Sequence, residues 1–121
     1  MSSLHGLRVF AVEDEPMLLL ALQDQLADFG CEVVGTAARL EPALDLARDL
    51  SFDLAILDVN LAGRRIDTVA ETVAGRGLPV IFLTGYSGDF LGRPLQGPVV
   101  EKPYSTAELR QALMTALGVI E

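Results

Sequence analysis

Leu54-Ala55-Ile56-Leu57-Asp58 decides the fold of this chain: four apolar residues in a row, then a carboxylate. An unbroken apolar run of this length reads as a strand buried on both faces, because a strand with one wet face alternates instead. The same pattern recurs along the chain. Val9-Phe10-Ala11-Val12 runs into the acidic pair Glu13-Asp14, and Leu78-Pro79-Val80-Ile81-Phe82-Leu83 runs into Thr84. Buried strands that end in acid are costly unless something offsets the charges, since crowding carboxylates raises both repulsion and desolvation. A divalent cation is the simplest partner for them.

Between these strands the apolar spacing becomes helical. Leu7 to Val12 reads as the first strand. From Pro16 onward Leu19, Leu22, Leu26 and Phe29 share one helical face, and Gly30 is the stop. Glu32 to Thr36 predicts a short strand, and Leu40, Leu44, Ala47 and Leu50 line a second helix with Pro42 in its first turn. Phe52 to Leu57 is the third strand. Ile66, Val69, Ala70 and Val73 give a third helix that ends near Gly75 and Gly77. The fourth strand is Leu78 to Leu83, with Pro79 confined to its start, and Pro98-Val99-Val100-Glu101 is the fifth. Ser105 and Glu108 then fit a capping box ahead of Leu109, Ala112, Leu113 and Ala116.

Continuous strands alternating with helices predict an α/β domain, a doubly wound five-stranded parallel sheet joined by right-handed crossovers. One connection breaks the rhythm. Gly85, Gly88, Gly92, Pro94, Gly97 and Pro98 crowd the stretch before Lys102, so the fourth crossover is expected to be a loop or a short, irregular helix.

Composition narrows the function classes. The 121 residues make one domain's worth, read here as a single domain over 1–121, and half of them are hydrophobic, as in a globular chain. A net charge of -8 argues against nonspecific affinity for nucleic acid or an anionic membrane surface and leaves room for a partner with a basic patch. Cys31 is alone, which precludes an intrachain disulfide and fits a reducing cytoplasm. Met17 to Leu22, the longest apolar run, falls far short of the ~18 residues of a spanning helix. Met1 to Gly6 lacks the basic start and apolar stretch of a signal peptide. A soluble cytoplasmic protein is the expectation.

In open parallel sheets, ligands bind beyond the carboxyl ends of the strands. Asp14, Asp58, Thr84 and Lys102 each follow a different apolar strand at that edge. Together they predict a small site of carboxylates, a hydroxyl and an ammonium. Mg²⁺ suits such carboxylates because it is a hard cation that favours oxygen ligands, while a lysine and a hydroxyl complete a cradle for a phosphoryl group.

Four pieces of the chain carry a family resemblance: Val12-Glu13-Asp14-Glu15-Pro16, Leu57-Asp58-Val59-Asn60-Leu61, Leu83-Thr84-Gly85 and Glu101-Lys102-Pro103-Tyr104. In this order and at these strand ends they resemble the receiver domain of two-component response regulators, and the resemblance covers essentially the whole chain. It implies a flavodoxin/CheY-like sheet of order 2-1-3-4-5. It further implies that Asp58 accepts a phosphoryl group from the phosphohistidine of a histidine kinase or histidine phosphotransfer protein. By the same resemblance Asp14 binds Mg²⁺ directly, Glu13 acts mainly through metal-bound water, and the backbone carbonyl of Asn60 is a further ligand. Thr84 would hydrogen-bond the phosphoryl oxygen, Lys102 would neutralise it, and the Lys102-Pro103 bond would be cis.

Three departures qualify the resemblance. Many receivers carry an aromatic residue three positions before the lysine, where this chain has Val99. The run Phe82-Leu83-Thr84-Gly85-Tyr86 instead resembles a variant receiver group marked by Phe-x-Thr-Gly-Tyr, the FATGUY group, in which Tyr86 would be the moving aromatic. The usual Met-Pro turn after the phosphoacceptor is replaced by Leu61-Ala62-Gly63.

Ordinary structural roles compete with each of these. Glu13 and Asp14 could cap the helix at Pro16, Thr84 could be a routine strand-end hydroxyl, Lys102 a surface lysine, and Tyr86 an exposed loop residue. His5 reads as part of a disordered arm rather than a phosphohistidine, Cys31 as a part-buried small residue, and Arg64-Arg65 as a solvated helix start.

The functional expectation is a single-domain response regulator that signals by protein contact or phosphotransfer, and not an enzyme in its own right. A receiver-like interaction module working without phosphorylation is one rival. A small Mg²⁺-dependent phosphohydrolase is another, opposed by Asn60 where such enzymes carry a second aspartate and by the lack of room for a substrate cap. Oligomeric state is not legible in the sequence.

Overall fold

The computed structural model describes residues 4–61, 63–85 and 97–118. In chain order its elements are β1 (Arg8–Val12), α1 (Pro16–Asp28), β2 (Glu32–Ala37), α2 (Leu40–Asp49), β3 (Leu54–Asp58), β4 (Asn60–Leu61), β5 (Arg64–Arg65), α3 (Asp67–Gly75), β6 (Val80–Thr84), β7 (Val99–Glu101) and α4 (Thr106–Ala116). Five strands form one sheet in the order β2-β1-β3-β6-β7, every neighbouring pair parallel. Renumbered without the small β4-β5 hairpin, this is the expected 2-1-3-4-5.

Residue parity explains why the strands are apolar throughout. Val9 and Ala11 of β1, Leu54 and Ile56 of β3, and Ile81 and Leu83 of β6 face one side, where they pack with Leu22, Leu26, Leu109 and Leu113 of α1 and α4. Phe10, Val12, Ala55, Leu57 and Phe82 face the other, against Ala43 and Ala47 of α2 and Val69 and Val73 of α3. Both faces of the sheet are covered, so polar side chains in these strands are confined to the ends, at Arg8, Asp58 and Thr84.

Local chemistry sets the helix ends. Pro16 opens α1, where its missing N–H costs nothing. The expected capping box of α4 is present, with Ser105 Oγ accepting from the Glu108 N–H at 3.1 Å and the Glu108 carboxylate accepting from the Ser105 N–H at 3.0 Å. Glu13 and Asp14 do not cap α1: its N-cap is Glu15, which makes no side-chain capping bond.

Two expectations are corrected. Arg64-Arg65 does not start a helix; it forms β5, pairing antiparallel with Asn60-Leu61, and α3 begins only at Asp67. Gly63, at φ +84°, supplies the left-handed residue that lets the chain reverse. Nor is His5 part of a disordered arm. Leu4 beside it is fully buried, the Gly6 N–H donates to the Gly30 carbonyl at 2.8 Å, and His5 lies so close over Gly30 that a Cβ there would meet its ring nitrogen at 2.8 Å. The expected loop in the fourth crossover falls on residues 86–96, outside the described residues. Among the described residues no helix is long and apolar enough to cross a membrane.

Candidate functional site

β1 and β3 lie side by side while their outgoing connections lead to opposite faces of the sheet, which opens a crevice at their carboxyl ends. Asp58 closes β3 in this crevice and is 4% exposed; Glu13, directly after β1, is 2% exposed. Lys102 reaches both from the end of β7. Its Nζ lies 2.8 Å from Glu13 Oε1 and 3.1 Å from Asp58 Oδ2. One ammonium thus draws together acids from two neighbouring strands.

The backbone fixes that reach. Lys102 donates its N–H to the Thr84 carbonyl at 2.7 Å, and the Lys102-Pro103 bond is cis. Thr84 ends β6 and is fully buried, and the Val59 N–H next to Asp58 donates to the Leu83 carbonyl at 2.9 Å. Thr84, Lys102 and Asp58 are therefore joined through adjacent backbone hydrogen bonds, so movement of one bears on the others.

Charge at the site is unbalanced. Carboxylate oxygens of Glu13, Asp14 and Asp58 all lie within 4.8 Å of one another, beside the single Lys102 ammonium. Burial, followed by hydrogen bonding with Glu13 and repulsion from its charge, pushes the Asp58 carboxyl up to about 7, and Lys102 offsets only part of this. Burial pulls the Lys102 ammonium downward, but the two carboxylates outweigh it and hold its pKa above the ordinary lysine value. A crowded set of hard oxygen donors with surplus negative charge, one of them resisting ionisation, fits a small divalent cation.

Asn60 faces this cluster through its backbone. Its N–H donates to Asp58 Oδ1 at 3.2 Å, while its side-chain oxygen turns away to accept from the Gly63 N–H at 2.9 Å. Glu13, Asp14, Asp58, Thr84, Lys102 and Asn60 are thus brought to one edge, as the sequence predicts. Tyr86 lies outside the described residues. Val99, where an aromatic residue was absent from the sequence pattern, is 44% exposed.

Sequence reasoning passed over two features. Tyr104 is half-buried beside Glu13 and Lys102 and lines with them a cavity of about 150 Å³ against Leu18 and Ala21 of α1; burial raises its hydroxyl pKa. The second is the hairpin after Asp58, whose arginines pair with Glu41 and Asp67. Only the Asn60 and Gly63 turn residues signalled it.

Residues 9–114 match the family described as the response regulator receiver domain. The chain belongs to that family. Among curated proteins the receiver resembles the transcriptional regulatory protein PdtaR of Mycobacterium tuberculosis, 32% identical over 116 residues that span 92% of this chain and 57% of PdtaR. It also resembles the phyllosphere-induced regulator PhyR of Methylorubrum extorquens, at 28% identity over 90% of this chain and 43% of PhyR. The chain therefore spans about half the length of these curated relatives. Among solved structures the receiver superposes on SdrG from Sphingomonas melonis Fr1 with a TM-score of 0.83 and 36% identity, covering 95% of this chain and 98% of SdrG. The receiver domain of Erythrobacter litoralis PhyR gives a TM-score of 0.84 at 29% identity, covering 96% and 93% of the two chains. A role in two-component signalling follows from membership of this family.

Proposed function

We propose that this receiver takes a phosphoryl group from the phosphohistidine of a histidine kinase or histidine phosphotransfer protein onto Asp58, with Mg²⁺ held by Asp14, Asp58 and the Asn60 carbonyl and, through water, by Glu13. The observation that carries this reading is the Lys102 ammonium bridging Glu13 and Asp58 at one sheet edge. An Asp58 carboxylate oxygen attacks phosphorus, the P–N bond to the donor imidazole breaks, and the imidazole leaves with the bonding pair and takes up a proton. Mg²⁺, when bound, supplies positive charge for the oxygens of the transferring group.

The remaining work belongs to the chain's own residues. Lys102 is already within ion-pair reach of Asp58 and offsets the negative charge that grows there. Thr84 donates its hydroxyl to a phosphoryl oxygen. Because the Thr84 carbonyl holds the Lys102 N–H, a shift of Thr84 is passed to the loop that follows β7. Met17, Leu18 and Leu20 leave apolar surface exposed on α1 beside the site, where a helical phosphodonor would press. With a net charge of -8 the receiver meets proteins in the cytoplasm rather than nucleic acid, and it is a phosphoacceptor rather than an enzyme in its own right.

Incubation with Mg²⁺ and acetyl phosphate tests the proposal. Intact mass should show one added phosphoryl group, absent in Asp58→Ala, with amide NMR shifts at Asp58, Thr84 and Gly85. An adduct that survives in Asp58→Ala would sink the assignment, and no adduct at all would favour the phosphorylation-independent module.

A further inference from the structure

The hairpin that follows Asp58 is too small to hold itself. Its ladder has two residues on each side, Asn60 opposite Arg65 and Leu61 opposite Arg64, and an isolated pair of strands this short is marginal in water. It nevertheless carries the Asn60 backbone, whose N–H already contacts Asp58. What fixes its position bears on the site.

Three anchors are visible. Leu61 is buried at 1% exposure, the Ile66 N–H donates to the Val59 carbonyl at 3.0 Å, and Arg65 grips Asp67. The last is the most specific. Arg65 Nε lies 2.9 Å from Asp67 Oδ2 and Nη2 lies 3.3 Å from Oδ1, so the fork engages both oxygens of the first residue of α3. Both side chains are largely covered, at 31% and 23% exposure, which shields the pair from solvent better than the other hairpin ion pair, Arg64–Glu41, at 57% and 68%. Arg65 is also the ladder partner of Asn60. A guanidinium clamped to α3 therefore fixes, across the ladder, the backbone segment whose N–H contacts Asp58.

We infer that Arg65 is a positioning residue: through Asp67 it holds the Asn60 backbone where the acidic cluster can use it, and so sets the receiver's Mg²⁺ affinity. This rests on the phosphoacceptor reading above. It assigns work to a residue pair beyond the acids, Thr84 and Lys102, in the stretch where Leu61-Ala62-Gly63 stands in place of the family's usual turn.

The test compares wild type, Arg65→Gln and Arg65→Lys, with Arg48→Gln as a control, since Arg48 makes an exposed ion pair with Asp45 on α2 away from the hairpin. Mg²⁺ titration followed by amide NMR should show Arg65→Gln weakened about tenfold, the low end for residues that orient metal ligands. Arg65→Lys, which keeps the charge and loses the fork, should fall between. Hydrogen exchange at Gly63 and Ile66 should quicken in the same order. The Mg²⁺ concentration for half-maximal phosphorylation should rise by the same factor while the rate at saturating Mg²⁺ stays within about twofold, because the acceptor itself is untouched. Unchanged Mg²⁺ affinity in Arg65→Gln would overturn this inference alone. Wild type that binds no Mg²⁺ would overturn the site reading and this inference with it.

Discussion

Asp58 has two kinds of neighbour. Toward β7 stands Lys102, whose ammonium meets two acids at 2% and 5% side-chain exposure. Toward α3 stands the hairpin, whose Arg64 pairs at the surface with Glu41, at 57% and 68% exposure. The difference separates energy from placement. Buried charges that lose a partner are left uncompensated in a poor solvent, so Lys102 bears on folding as well as on the proposed chemistry. Exposed pairs exchange protein contacts for water at little cost and act mainly by choosing one loop geometry over another.

Removing Lys102 should break this comparison most visibly. Lys102→Met leaves Glu13 and Asp58 facing each other without a cation and should cost roughly 2–3 kcal/mol in urea unfolding at pH 8 without Mg²⁺. A loss indistinguishable from that of a surface lysine would mean that the bridge carries no folding energy.

Acidity gives the next largest effect. Asp58 titrates at about 7 in the fold because of burial and the nearby Glu13, against about 3.9 for an unfolded aspartate. The folded protein thus keeps a proton that the unfolded chain releases. That contribution is full below about pH 4 and is lost as pH rises through 7. Metal-free receiver should lose about 2 kcal/mol between pH 5 and pH 8, and Asp58→Asn should remove most of that slope. Parallel pH curves for the two proteins would assign the slope to another group.

At the small end lies the hairpin surface. Arg64→Gln should change unfolding free energy by less than about 0.5 kcal/mol. A cost above about 1 kcal/mol would erase the distinction between the two sides of Asp58.

The parts of this structure legible in the sequence are those in which local pattern and burial agree. Continuous apolar runs gave the strands, Ser105 and Glu108 marked a helix start that formed as expected, and acids, hydroxyl and lysine at strand ends fell on one edge. Legibility failed where distant contacts decide. Arg64-Arg65 looked like a helix start because it directly precedes the helical spacing that opens at Ile66, but its geometry depends on pairing with Asn60-Leu61. His5 looked unanchored because its hold on the fold is Leu4, buried against residues far along the chain. On α1, Leu22 and Leu26 are buried as the spacing requires, yet the same apolar run leaves Met17 and Leu20 in water. Spacing identifies the helix but does not say which extra apolar residues stay uncovered.

That uneven burial has a practical use. The chain holds three methionines, Met1, Met17 and Met114; Met17 is 75% exposed on α1, while Met114 is 2% exposed on the buried face of α4. A sample labelled only at methionine methyls therefore places one beacon on the surface beside the acidic crevice and another deep in the core. A partner landing on α1 would move the first signal and leave the second still, whereas repacking of the interior would move the second.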